Sequence, residues 1–128
     1  MTRYLLSIYN DDRPRSKEGM QHSYDAVNAL ADELTAAGGL VFAGGLDHSR
    51  RTVVRSVGGS IITTDGPFVE TKELLGGLWI IDVEGAEAAH GWAAKLAAAV
   101  GRPIEVSHLE DDDATVEELF EHQLSSAT

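Results

Sequence analysis

Apolar residues recur along this chain with two different spacings, and the changes between them predict alternating strands and helices. A nearly unbroken apolar run over residues 4–9 predicts a strand that is buried on both faces. Apolar residues at three- and four-residue steps predict one amphipathic helix over residues 16–37 and a second over residues 86–100. Shorter apolar runs predict further strands over residues 40–42, 51–57, 60–64, 78–83 and 104–109.

The order of these elements predicts the fold. Gly58-Gly59 lies between two of the strands and is typical of a tight hairpin turn, so the order reads β-α-β-β-β-β-α-β. Two βαβ-like halves indicate an α+β fold of the ferredoxin-like, split βαβ type. In such a fold an antiparallel sheet carries both helices on one face.

The opposite face of that sheet has no helix to cover it. We therefore expect it to pack against the same face of a second copy, in a homodimer whose interface exceeds about 1,000 Å². The residues expected on this face are Leu5, Ile8, Ile62 and either Ile80 or Ile81.

Composition excludes several functional classes. The 128 residues are enough for one domain and contain no cysteine, which excludes disulfide scaffolds, iron–sulfur clusters and thiol nucleophiles. The net charge of −11 argues against nucleic-acid binding through a broad basic surface. No stretch is apolar enough to span a bilayer, and the first residues do not resemble a signal peptide. We therefore expect a cytoplasmic protein with neither nucleic acid nor membrane as a partner.

The acidic residues are concentrated near the end of the chain. Eight acids and no Lys or Arg follow position 104, whereas residues 1–104 carry 13 acids and 10 bases. We expect residues 1–110 to form the folded domain and residues 111–128 an acidic C-terminal segment. This segment includes a short helix over Thr115–Gln123, which Thr115 and Glu118 cap.

Residues 64–73 read TDGPFVETKE, which resembles the signature of the DGPF (DGPFAETKE) family, a branch of the YCII-related proteins. The segments YLLSIYNDD and LLGGLWIIDV also resemble this family, and the likeness covers residues 1–109. The resemblance implies a ferredoxin-like fold and a dimeric α+β barrel formed by sheet-to-sheet packing. It also implies an association with extracytoplasmic-function sigma factors, beside which family members often lie. The family has no established general activity.

Some YCII-related relatives act on chlorinated aromatic compounds with a proposed His–Asp pair. This chain departs from that pattern, because Val27 or Asn28 falls near the position of the family's histidine. Ser107 stands where the last strand of the family usually has an arginine.

The signature segment supplies the first candidate site residues. Pro67 makes the turn rigid, and Asp65 is suited either to cap that turn or to act as a general acid or base. Glu70 is the second catalytic candidate, and Lys72 and Glu73 are further pocket candidates because charged groups cluster around the turn.

Two other loops supply the remaining candidates. Asp47 and His48 follow a glycine bend; His48 is the third catalytic candidate and Asp47 a further pocket candidate. Adjacent residues on a strand point to opposite faces, so the sequence does not establish a bond between the two side chains. Asp11 lies among charged residues after the first strand, either in a solvated loop or at the lip of a pocket between sheet and helices.

The sequence contains no zinc-binding histidine pair and no phosphate-binding glycine motif, so it indicates neither a metal nor a cofactor. Two hypotheses remain open. One is a small dimeric module that binds an unknown small molecule or assists a sigma factor. The other is a cofactor-independent enzyme that uses carboxylate acid–base chemistry on a small polar or aromatic substrate.

Overall fold

The structure, a computed structural model, describes residues 1–11, 13–67, 73–110 and 115–126. Its six strands and three helices follow the predicted order. They are β1 (Thr2–Asn10), α1 (Lys17–Ala36), β2 (Leu40–Gly45), β3 (Thr52–Val57), β4 (Ser60–Asp65), β5 (Leu74–Val83), α2 (Ala86–Val100), β6 (Ile104–His108) and α3 (Val116–Ser126). None of the three helices described combines the length and apolar composition that crossing a lipid bilayer requires.

Four strands form one antiparallel sheet in the order β2-β5-β1-β6. This order, together with α1 and α2 packed on one face, confirms the predicted ferredoxin-like α+β fold. β5 begins at Leu74 rather than at the predicted Leu78, because its first residues also pair with neighbouring strands. The glycines at 76 and 77 had interrupted the apolar pattern that marks a strand.

The hydrophobic core lies between the sheet and its two helices. Leu6 of β1 is opposite Trp79 of β5 and Val106 of β6, so these three side chains share the helix-facing side. The largest side chains that are fully buried in the core are Leu6, Leu34, Ile81 and Leu96.

The other face of the sheet carries a short apolar row. Leu5 is paired with Ile80, which is paired in turn with Phe42 on β2, and Phe42 is 52% exposed. Leu5 and Ile80 therefore lie where they were predicted. Ile8 and Ile62 do not, because Ile8 packs against the core and Ile62 lies on the separate β3–β4 hairpin.

The hairpin of β3 and β4 forms its own two-stranded sheet. Gly58 and Gly59 form its turn with φ of 56° and 83°, a conformation that glycine adopts at little cost. Several of its apolar side chains are exposed, namely Val54, Val57, Ile61 and Ile62.

Helix termini bring two arginines to the same place. The Ser16 hydroxyl accepts a hydrogen bond of 2.9 Å from the Gly19 amide and caps α1, so Arg15 lies just before this helix. Gly101 comes directly after α2 and stops the helix with a φ of 65°, and Arg102 is the next residue. The start of α1 and the end of α2 thus deliver one guanidinium each to the end of the sheet where β1 terminates.

Candidate functional site

A cavity of about 590 Å³ lies where β1 ends and α1 begins. Its walls come from the residues after β1, from the first half of α1, from the loop that follows β2 and from Arg102. One side is apolar, formed by Met20, Tyr24 and Val27. The rest of the described lining is mainly polar and carries the charged groups, and we call it the polar side.

Positive charge is in excess on the polar side. Arg13, Arg15 and Arg102 line the cavity, and Asp11 is the one carboxylate among the described residues that line it. The whole chain has a net charge of −11, so this concentration of guanidinium groups is opposite in sign to the overall charge. Such a wall attracts anions.

Arg102 is the most deeply placed of the three arginines. Its side chain is 8% exposed, and its Nη2 lies 3.6 Å from Asp11 Oδ1 and 3.4 Å from the Arg13 carbonyl oxygen. No acceptor in the part of the chain that the structure describes reaches its buried Nε. A guanidinium has five N–H donors, so Arg102 has capacity for a further acceptor. Such an acceptor would be favourable, because burying a charged group with incomplete pairing costs free energy.

Arg15 connects the two helices. It donates one hydrogen bond to the carbonyl of Val100 at the end of α2 and another of 3.1 Å to the Ser23 hydroxyl on α1. A cation at the C-terminus of a helix is favourable because the helix dipole is negative there. Burial, and then the charges of Arg102 and Arg13, lower the pKa of the Arg15 guanidinium.

Asp11 holds this cluster together. Its carboxylate accepts a hydrogen bond of 3.0 Å from the Arg13 amide and one of 2.6 Å from Arg13 Nε. The hydrogen bond from the backbone amide of Arg13 is the largest cause that lowers the pKa of Asp11, and the charges of Arg102 and Arg13 act in the same direction. Asp11 is therefore held as a carboxylate and is poorly suited to donate a proton.

His48 lies across the same cavity. Its Nε2 is 3.2 Å from the side-chain nitrogen of Asn10, the last residue of β1. Gly76 makes this arrangement possible, because a Cβ at that position would overlap the Asn10 side chain. The pairing of β1 with β5 shifts register at this point, as is common where a strand contains glycine.

The signature turn contacts this site through Arg51. The Gly66 amide donates a hydrogen bond of 2.8 Å to the Arg51 carbonyl, and a Cβ at Gly66 would lie 2.8 Å from Arg51 Cβ. The Arg51 side chain donates to the carbonyl of Leu75, and its Nη2 is 3.5 Å from His48 Nδ1. The close packing at Gly66 thereby helps to position the His48 ring.

The predicted site residues divide between these two places. Asp11 and His48 line the cavity, while Asp65 is exposed at the end of β4 and does not line it. Asp47 accepts hydrogen bonds of 2.9 and 2.7 Å from Ser49, which lower its pKa, and its other oxygen is 3.3 Å from Arg50 Nε. Glu73 is exposed just before β5. Glu70 and Lys72 lie outside the described residues.

Sequence reasoning missed Arg102 and Asn10. No short-range pattern marks Arg102, which lies 91 positions after Asp11 and reaches it only through the pairing of β6 with β1. The one available signal was indirect, since Arg102 is the last basic residue before a long acidic stretch.

Within the described ranges, no group of three or more potential ligand side chains lies close enough to hold a metal ion. The family model of the YCII-related domain matches residues 3–102 of the chain. The match runs from the second residue of β1 past the end of α2 and includes the arginines of the cavity. No curated protein shows significant sequence similarity to the chain.

Proposed function

The chain belongs to the YCII-related domain family, and we propose that it binds a small molecule in the cavity at the end of β1. The observation that carries this proposal is the convergence of polar side chains from separate segments on one concavity of about 590 Å³. Small-molecule sites have volumes of roughly 300–1,000 Å³ and combine apolar walls with a few convergent polar groups. The cavity has both properties.

A thermal-shift screen of metabolites against the full chain tests this proposal. A ligand that binds only the folded state raises the melting temperature in proportion to the logarithm of its concentration. We expect Ser23→Phe, which adds a ring on the cavity wall, to abolish the shift. His22→Phe adds the same ring one residue earlier, on an exposed position that does not line the cavity, and is expected to retain it. Hits that survive Ser23→Phe would contradict the proposal.

The second part of the proposal is assembly as a homodimer through the open sheet face. The apolar row of Leu5, Phe42 and Ile80 is uncharged, and a two-fold axis would place it against itself. Light scattering is expected to give about twice the monomer mass of 13.7 kDa. Ile80→Glu is expected to give monomers, whereas Ala98→Glu on the exposed side of α2 is not. A monomeric wild-type protein at micromolar concentration would exclude this assembly.

An accessory role beside a sigma factor, which the family resemblance implies, stays a prediction. It is compatible with ligand binding, because a ligand that changes the stability of the dimer can change the affinity of the dimer for a partner.

An enzymatic alternative has one specific observation in its favour. His48 lies in the cavity with its ring beside Asn10, so a bound molecule can reach an imidazole that is able to exchange protons. Under this alternative His48, rather than the exposed Asp65, acts as the general base, and Asp11 stays ionised. Turnover of any molecule found in the screen, lost in His48→Gln while binding persists, would establish the alternative.

A further inference from the structure

We infer that the ligand of this cavity carries a carboxylate or a phosphate group, and that the guanidinium of Arg102 binds it together with Arg13. This inference rests on the proposed function, since it specifies the chemistry of the same site. It follows from three features of the cavity: the balance of charge on its wall, the hydrogen bonds that Arg102 does not make, and the apolar side of its lining.

The first feature is the balance of charge. Three guanidinium groups face one carboxylate among the described lining residues, and that carboxylate is already engaged by the amide and Nε of Arg13. Arg102 is left with a contact of 3.6 Å to the same carboxylate, longer than a hydrogen bond. A second anion on this wall would balance the remaining charge.

The second feature is the set of donors on Arg102. A guanidinium has five N–H groups in a planar fork, suited to paired contacts with carboxylate or phosphate oxygens. Among the described residues, Arg102 has one long bond of 3.4 Å to the Arg13 carbonyl, and its Nε has no partner. Its side chain is only 8% exposed but still lines the cavity, so an anion bound there would add pairing that this buried charge lacks.

The third feature is the apolar side of the cavity. Met20 and Tyr24 are 58% and 65% exposed, although both lie on the face of α1 that lines the cavity. Exposed apolar groups beside a cationic wall fit a ligand with a short apolar body attached to its anionic group. Arg15 has a different role, because its bonds to Val100 and Ser23 fix the ends of the two helices.

Calorimetric titration of the full chain with hexanoate, hexyl phosphate and hexanamide tests the inference. The two anions probe the two possible groups, and the neutral amide has nearly the shape of hexanoate. We expect at least one anion to bind about tenfold or more tightly than the amide, since hydrogen bonds to charged groups are about that much stronger. The anion that binds more tightly identifies the group.

Variants of the arginines locate the effect. Arg102→Gln is expected to weaken binding of that anion by about tenfold or more, and Arg102→Lys by less, because lysine keeps the charge without the fork. Arg13→Gln changes an exposed residue and provides the same test if Arg102→Gln does not fold. Arg50→Gln removes the same charge from a side chain that is 84% exposed and outside this cavity, and is expected to leave binding within about twofold.

Two outcomes would overturn the inference and leave the proposed binding site standing. One is binding of hexanamide that is as tight as the binding of both hexanoate and hexyl phosphate. The other is anion binding that Ser23→Phe abolishes but that Arg102→Gln and Arg13→Gln do not change. If neither anion binds at about 10 mM the inference is also wrong, and the metabolite screen then decides separately whether the cavity binds anything.

Discussion

The cavity wall at the end of β1 and the turn that follows β4 differ in what holds them together. The cavity wall consists of charged side chains, with Arg102 buried and Asp11 surrounded by guanidinium groups. The described part of the turn relies on backbone packing, with the Gly66 amide bonded to Arg51 and Asp65 exposed. The described part of the conspicuous motif is thus associated with close backbone contact, and the cavity that we propose as the binding site lies elsewhere.

The two regions are also connected. Arg51 packs against Gly66 through its backbone, and its side chain reaches Leu75 and the ring of His48. The described part of the turn therefore supports one edge of the cavity, and its carboxylate, Asp65, does not line the cavity. Changes at the turn should alter stability first, whereas changes at the cavity wall should alter charge-dependent properties first.

The largest effect on stability is expected from Gly66→Ala. The added Cβ would lie 2.8 Å from Arg51 Cβ and 3.1 Å from the Arg51 carbonyl carbon, so the backbone must shift. Overpacking of this kind costs about 1–3 kcal/mol in the free energy of unfolding. Gly91→Ala on α2 is the control, since the added Cβ would meet no atom within 4 Å. This substitution is expected to stabilise the folded protein by roughly 0.5–1 kcal/mol. Urea unfolding measures both. Equal effects of the two substitutions would show that the turn is not closely packed.

A smaller effect, dependent on pH, is expected from Asp11→Asn compared with Asp65→Asn. Each substitution removes one negative charge. The pKa of Asp11 is lowered by its contacts with Arg13 and Arg102, whereas Asp65 is an exposed residue outside the cavity. A carboxyl group whose pKa is lower in the folded state stabilises that state at pH values above its ordinary pKa, which is 3.8 for Asp11. This contribution is lost as the pH falls through the lowered pKa.

Asp11→Asn is therefore expected to destabilise the protein more than Asp65→Asn at pH 7. The difference should shrink as the pH falls below 3.8 and vanish below the lowered pKa of Asp11. Unfolding midpoints at several pH values measure this. A difference that persists undiminished in acid would mean that the carboxylate of Asp11 does not account for it.

The smallest effect is expected from removal of the acidic end of the chain. A chain truncated after Glu110 retains both regions, and it loses α3, whose Val116, Phe120 and Leu124 are exposed. We expect the free energy of unfolding to change by less than about 0.5 kcal/mol, as for other surface changes. A large fall in stability, or loss of the dimer, would show that α3 packs against the domain or the partner subunit.

The sequence predicts the fold well because each element carries its own local signal. The helix-spaced apolar residues of α1 end at a glycine with positive φ, Gly38, and Ser16 caps the helix at its start. The capping of α3 by Thr115 and Glu118 was equally local, with hydrogen bonds of 3.1 and 2.8 Å between them. The predicted placement of Ile8 on the same face as Leu5 contradicted even the local strand pattern, because residues three apart on a regular strand point to opposite faces.

The candidate site was predicted less completely, because its residues come from distant segments that only the folded structure brings together. Asp11 and His48 were identified because each is a reactive group in a loop, a property visible in the sequence. Arg102 approaches Asp11 only after β6 pairs with β1. Asn10 approaches His48 only after β5 pairs with both β1 and β2. The excess of positive charge is a property of that assembly, and no window of consecutive residues shows it.

The central claim, that the cavity rather than the signature turn binds the ligand, is tested most directly by amide chemical-shift mapping. Hexanoate or hexyl phosphate, whichever binds more tightly, is titrated into the isotope-labelled full chain. We expect the largest shifts at Asn10, Asp11, Tyr24, His48 and Arg102, with Asp65 and Gly66 nearly unchanged. Shifts centred on Asp65 and Gly66, with the amides of the cavity unmoved, would contradict the account.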